Sequence, residues 1–152
     1  MSGLELYLQV PFTFLPAPFD GLGLDANLTI VSSSVEIFSR LGVELPLFEQ
    51  PDQTVNVAVY YQKGRFDGRL AYTHQDSSLR QIGASALNDF YRADHYQTDA
   101  QASFRLTEHF TIFASAQNLT NQPQDTYQGL PNQLRFRRMY GTVYSAGLRF
   151  RF

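Results

Sequence analysis

Thr54-Val55-Asn56-Val57-Ala58-Val59-Tyr60-Tyr61-Gln62-Lys63-Gly64-Arg65-Phe66-Asp67-Gly68-Arg69-Leu70-Ala71-Tyr72-Thr73-His74-Gln75 decides the fold class. Val55, Val57, Val59 and Tyr61 alternate with Asn56, Ala58, Tyr60 and Gln62. After Lys63-Gly64 the alternation resumes, with Phe66, Gly68, Leu70 and Tyr72 set against Asp67, Arg69, Ala71 and Thr73. A period of two is the signature of a strand with one apolar and one polar face, and a helix cannot keep both faces pure at that spacing. Two such runs joined by a short Gly-containing link read as an antiparallel hairpin.

The same pattern recurs outward in both directions. On the N-terminal side it covers Gly3 to Phe12 and Leu22 to Val31. On the C-terminal side it covers Tyr96 to Leu106, Phe110 to Leu119 and Tyr140 to Phe152, with Phe113 breaking the alternation of its run. Seven strands of roughly ten residues result, the length a tilted strand needs to cross a bilayer and nearly twice the usual strand of a soluble domain. The links around Pro16-Ala17-Pro18, Lys63-Gly64 and Thr107-Glu108-His109 are short. Those over 32–52, 76–94 and 120–138 are long and polar. Short turns at one end and long loops at the other are the transmembrane-barrel pattern. The expected fold is all-β: an antiparallel, up-and-down transmembrane barrel fragment, an open curved sheet of about seven strands.

Composition agrees. Charged residues make up 17% of the 152-residue chain, below the roughly 25% of soluble domains, while Tyr and Phe supply all of a 14% aromatic content. A net charge of −2 gives no basic excess for nucleic acid. Cysteine is absent, which excludes disulfides and thiolate metal sites. No run approaches the length of a membrane helix. His74 and His95 have no ligand partners at metal spacing, and no phosphate loop or nucleophile elbow is present, so the chain reads as neither an enzyme nor a cofactor protein. Phe12, Phe14, Phe19, Tyr60, Tyr61, Phe66, Phe104, Phe110, Phe150 and Phe152 gather near the short turns, as an interfacial girdle would.

The polar alternation places Asp25, Asn27, Asn56, Asp67, Arg69, Asp99, Arg105 and Arg149 on the face that would line a water-filled lumen. The plainer reading is that they form cross-strand ladders. The last long loop carries Tyr127, Asn132, Arg135, Arg137 and Arg138, a candidate ligand-contacting set, because guanidinium forks suit carboxylate and phosphate oxygens. The same forks would suit the phosphates of surrounding lipopolysaccharide, and the plainer reading is a solvated loop.

Tyr140-Gly141-Thr142-Val143-Tyr144-Ser145-Ala146-Gly147-Leu148-Arg149-Phe150-Arg151-Phe152 resembles the closing strand of TonB-dependent outer-membrane receptors. Phe110 to Pro123, with its exit Asn118-Leu119-Thr120-Asn121-Gln122-Pro123, resembles their penultimate strand. The Tyr60–Phe66 hairpin and the Phe14–Pro18 turn resemble earlier hairpins of the family. The resemblance implies the C-terminal part of a plugged barrel of about 22 strands in a Gram-negative outer membrane, taking up a siderophore or an oligosaccharide. It implies that a plug domain, a TonB box, a signal peptide and the N-terminal barrel strands lie outside this chain. Contact with the TonB energy-transducing complex would be made through those parts. It also implies that Tyr144, Leu148, Phe150 and the terminal Phe152 are read by the barrel-assembly machinery, and that lipid surrounds the apolar face. Two alternatives stand beside it: a soluble β-sandwich ligand-binding module, and a non-functional remnant of a truncated receptor gene.

Overall fold

The computed structural model describes residues 1–152. Its strands, in chain order, are β1 (Ser2–Pro11), β2 (Leu22–Ser32), β3 (Val35–Ile37), β4 (Arg40–Leu45), β5 (Gln53–Lys63), β6 (Phe66–Gln75), β7 (Ser78–Gln81), β8 (Phe90–Arg92), β9 (His95–Arg105), β10 (Phe110–Gln117), β11 (Gln124–Gln128), β12 (Leu134–Arg138) and β13 (Val143–Phe150). The long strands form one open antiparallel sheet in the order β1-β2-β5-β6-β9-β10-β13, a meander without crossovers that leaves β1 and β13 as edges.

Register carries the alternation across the whole sheet. Leu6 faces Leu28, Leu28 faces Val55, Val59 faces both Leu24 and Leu70, and Leu70 faces Ala100. Phe104 faces Phe66 and Ile112, Ile112 faces Leu148, and Phe110 faces Phe150. Directly opposed residues point to the same side, so Leu24, Leu28, Val57, Leu70, Ala102, Phe104, Leu148 and Phe150 share one apolar face. That face has no second layer on it: Leu6 is 53% and Leu148 68% exposed. In water a patch this wide would be strongly unfavourable.

Only eight residues are buried. Leu45, Ser78, Leu79, Asp89, Thr126 and Tyr127 belong to the long links, leaving Gly23 and Ala58 in the sheet. The sheet therefore has no core of its own, and the packed part of the molecule lies among segments that sequence alone marks as loops.

The turns are built for their job. Lys63 pairs with Phe66, leaving Gly64-Arg65 as a two-residue hairpin link with Gly64 at φ +61. A glycine at that first position is what a type II′ turn requires. The Lys63 ammonium closes an ion pair with Asp20 in the neighbouring turn, holding that carboxyl below its usual range.

Phe113, the exception to its strand's alternation, has a physical explanation. It sits on the polar face opposite Gly147, and a Cβ there would fall 2.7 Å from its Cζ, so the glycine makes the seat for the ring. Tyr60 lies over Gly23 in the same way, where a Cβ would meet Cζ at 2.1 Å. Tyr60 thus belongs to the polar face and not to the aromatic cluster of the apolar one. Tyr61, Phe66, Phe104, Phe110 and Phe150 do cluster on the apolar face near the turns, with the rings of Tyr61 and Phe66 5.9 Å apart and those of Phe110 and Phe150 4.7 Å apart.

Candidate functional site

Two surfaces carry the chain's polar chemistry: the polar face of the sheet and a cap built from the three long links. On the sheet, Tyr7, Asn27, Asn56, Thr73 and Gln97 form one row across five strands by direct pairing. Thr73 Oγ1 donates to Asn56 Oδ1 at 2.9 Å, and Asn27 Nδ2 donates to Glu5 Oε1 at 3.1 Å. Toward the turns, Arg69 Nη1 donates to Asp25 Oδ2 at 2.8 Å. Asp99 accepts from Gln97 Nε2 at 2.9 Å and from the Asn118 backbone N–H at 2.9 Å. Asp67 lies opposite Gln62 and Ser103. Arg105 and Arg149 flank Thr111 nearer the turn end. All eight polar positions read from the sequence thus lie on one face, and several of them are laddered to one another.

The exit motif at Asn118 is a joint. Asn118 takes φ +55, a left-handed conformation that asparagine tolerates. Its Oδ1 accepts the Gln122 N–H at 2.8 Å, and its Nδ2 donates to the Gln122 and Gly141 carbonyls at 3.1 Å each. Thr142 Oγ1 donates to the Asn118 carbonyl at 2.9 Å. One side chain therefore ties the end of β10 to the segment entering β13.

The cap is a second sheet, β12-β11-β8-β7, in which β8 of the second link pairs with β11 of the third. The rings of Tyr91 and Tyr127 stack across that junction at 5.2 Å, within 11° of parallel. Burial raises the Tyr91 hydroxyl pKa above its ordinary value. The first link, which carries the β3–β4 hairpin, is fastened by Arg40. Its Nη1 donates to Asp89 Oδ2 at 2.8 Å, and its Nη2 reaches Asp89 Oδ1 and the Gly83 carbonyl. Asp89 is fully buried, and burial alone would raise its pKa. The Arg40 fork and the Gly83 N–H outweigh that and leave it lowered, while Arg40 is raised in turn. Glu49 adds a second clasp, with its N–H donating to the Leu79 carbonyl at 2.8 Å and its carboxylate 2.8 Å from Arg92 Nη2.

The loop residues singled out from sequence divide by role. Tyr127 is 9% exposed and is occupied by the Tyr91 stack. Arg137 forms a two-pronged pair with Asp125, Nε at 2.8 Å and Nη2 at 2.6 Å, which lowers the Asp125 pKa and raises its own. Asn132, Arg135 and Arg138 are exposed. The sequence reading did not pick out Arg40, Glu49 or Asp89. Nothing in the local pattern around those three signals their pairing; the one legible feature of the cap is the alternation of Leu134 and Phe136 with Arg135 and Arg137, which marks a strand inside the last link.

No curated protein and no solved structure gives a match to the chain. Residues 1–119 match the family described as TonB dependent receptor-like, beta-barrel, a stretch running from β1 through β10, and β13 extends the same meander by one antiparallel strand. With most of its length matched and every long strand in one up-and-down sheet, the chain belongs to the TonB-dependent receptor-like β-barrel family.

Proposed function

We propose that the chain is a segment of barrel wall in an active-uptake receptor of the Gram-negative outer membrane. Its apolar face meets lipid, its polar face lines the lumen, and its cap stands at the outer surface. The observation that carries this reading is the inverted sidedness of the sheet: seven strands expose a continuous apolar face while their polar residues ladder together on the other side. In lipid that arrangement is the stable one.

Between a ferric siderophore and an oligosaccharide, the polar face favours the second. Asn27, Asn56, Thr73 and Gln97 offer uncharged donors and acceptors in one row, and the exposed Tyr7 ring ends it. Uncharged amides and hydroxyls beside an aromatic ring suit a ligand rich in hydroxyl groups. The TonB complex acts through parts of the receptor outside this chain. The barrel-assembly machinery reads the register Tyr144, Leu148, Phe150 and Phe152. Arg135 and Arg138 face lipopolysaccharide or incoming ligand.

Single cysteines introduced into the cysteine-free segment of the intact receptor test the sidedness. Leu70→Cys should react with a membrane-partitioning thiol reagent, and Arg69→Cys with a water-soluble one. The reverse pattern, or equal labelling by both, contradicts the assignment. Uptake of labelled oligosaccharide against ferric siderophore in Asn56→Ala and Thr73→Ala receptors separates the two substrates.

A further inference from the structure

Ion pairs account for Arg40, Lys63, Arg69, Arg80, Arg92 and Arg137. Three arginines outside those pairs converge. Arg105, Arg149 and Arg151 line one hollow at the turn end of the polar face, together with Thr111, His109 and Glu108 and with no apolar residue. Thr111 is paired with Arg105 on one side and with Arg149 on the other, so the three form a row across β9, β10 and β13. The outer two backbones are two strand spacings apart, roughly 9–10 Å, a distance that two long side chains can close onto one bound group.

A second row is fixed beside the first. The Arg151 N–H donates to the His109 carbonyl at 3.0 Å, and His109 Nδ1–H donates to the Arg151 carbonyl at 2.9 Å. The Arg149 guanidinium is steadied 5.8 Å from the centroid of the Phe113 ring. Like charges set side by side on one sheet face repel, and Glu108 supplies a single carboxylate against three guanidiniums.

We propose that this hollow is an oxyanion site. It would take a group with several charged oxygens, such as a phosphate ester or a polycarboxylate, gripped by the Arg105 and Arg149 forks with the Thr111 hydroxyl between them. The row faces away from Phe104, Ile112 and Leu148, so a lipid headgroup lying against the apolar face is not its source. The oxygens belong either to an anionic solute or to acidic side chains of a polypeptide segment on the water side of the sheet. The site rests on the polar face being open to water and does not depend on which nutrient is carried.

The test uses the intact receptor in non-ionic detergent at low ionic strength, titrated calorimetrically with pyrophosphate and with citrate. Saturable binding is expected. It should weaken about tenfold or more in the Arg105→Gln/Arg149→Gln double variant, since each lost contact is a charge-assisted one. Arg80→Gln in the cap, at the opposite end and paired with Glu49, should leave it unchanged. If neither solute binds, thermal unfolding of the same double variant decides the source. A loss of melting temperature at low salt that vanishes at high salt identifies an acidic segment seated on the arginines. No binding and no salt-dependent loss, or equal binding by the parent and the double variant, overturns the proposal. Sidedness labelling is an independent readout, so failure of the anion site and failure of the barrel-wall assignment can be told apart.

Discussion

Arg40 and Asp89 lie 49 residues apart in the chain, and the guanidinium of one forks onto the fully buried carboxylate of the other. This pair fastens the first long link to the second. Because Asp89 Oδ1 also accepts the Gly83 N–H at 2.8 Å, and the Asp89 carbonyl accepts the Gly129 N–H at 2.8 Å, it reaches the third link as well.

Removing one partner should therefore loosen the whole cap. Breaking a buried pair from one side costs about 3–5 kcal/mol, mostly because the remaining charge is left uncompensated. Asp89→Ala is expected to speed hydrogen exchange at the Gly83 and Gly129 amides by orders of magnitude while leaving amides of β5 and β6 protected. The double variant Arg40→Met/Asp89→Leu should exchange more slowly than Asp89→Ala alone, because it buries no orphan charge. Equal exchange in single and double variants would remove the pair from its role.

Acid should loosen the cap. Asp89 and Asp125 both have carboxyl pKa values held down, Asp89 by Arg40 and the Gly83 N–H against the upward push of burial, Asp125 by Arg137. A carboxylate depressed in the folded state contributes stability above its unfolded pKa and loses it as pH falls through the folded value. The loss should begin at about pH 4, the ordinary carboxylate range, and deepen below it. Tyr91, raised by burial, works at the other end: its contribution is present below about pH 10 and is lost above that. Tyrosine fluorescence reporting the Tyr91–Tyr127 stack, followed across pH, should change in both windows and hold steady between them.

The contrast between sheet and cap also explains what a sequence can disclose. Alternation marks the third of the seven long runs as Thr54–Gln62, and the strand is Gln53–Lys63. A strand that long carries its own periodicity, and its turn is written locally by Gly64. At the far end the alternation begins at Tyr140, but Gly141 at φ +75 and the Asn118 joint delay the strand to Val143. The cap strands are three to six residues long, too short for a period to stand out, and their partners lie in other links. Nothing near Asp89 announces Arg40. On the polar face, periodicity places Asp25 and Arg69 on one side of the sheet, while their ion pair depends on a register across β5 that only the assembled sheet supplies.

Phe152 should govern assembly and not ligand affinity. It follows β13, and its ring meets Phe150 edge-on at 4.6 Å, extending the apolar register of Tyr144, Leu148 and Phe150 to the last residue. Deleting Phe152 in the intact receptor is expected to lower outer-membrane abundance while the protein that does assemble keeps its ligand affinity. Immunodetection in membrane fractions, paired with binding per assembled receptor, checks both halves. Normal abundance after the deletion refutes the assembly role.

Leu148 and Arg149 separate the two faces of a single strand. Leu148 faces Ile112 on the apolar side, and Arg149 faces Thr111 on the polar side. Leu148→Arg should lower barrel stability by about 2–4 kcal/mol if the residue sits near the bilayer midplane, and by about 1 kcal/mol or less near an interface. At high salt and without added anion, which leaves the arginine hollow unoccupied, Arg149→Leu should cost less than about 1 kcal/mol, the worth of its exposed contact with the Phe113 ring, since it otherwise only removes a charge from a solvated wall. Unfolding from bilayers of graded thickness is the deciding measurement. Moving the hydrocarbon boundary past position 148 must change the Leu148→Arg penalty and leave the Arg149→Leu effect flat. A protein whose apolar face met another polypeptide would pay for Leu148→Arg in every bilayer alike, so a penalty independent of thickness removes lipid from this strand.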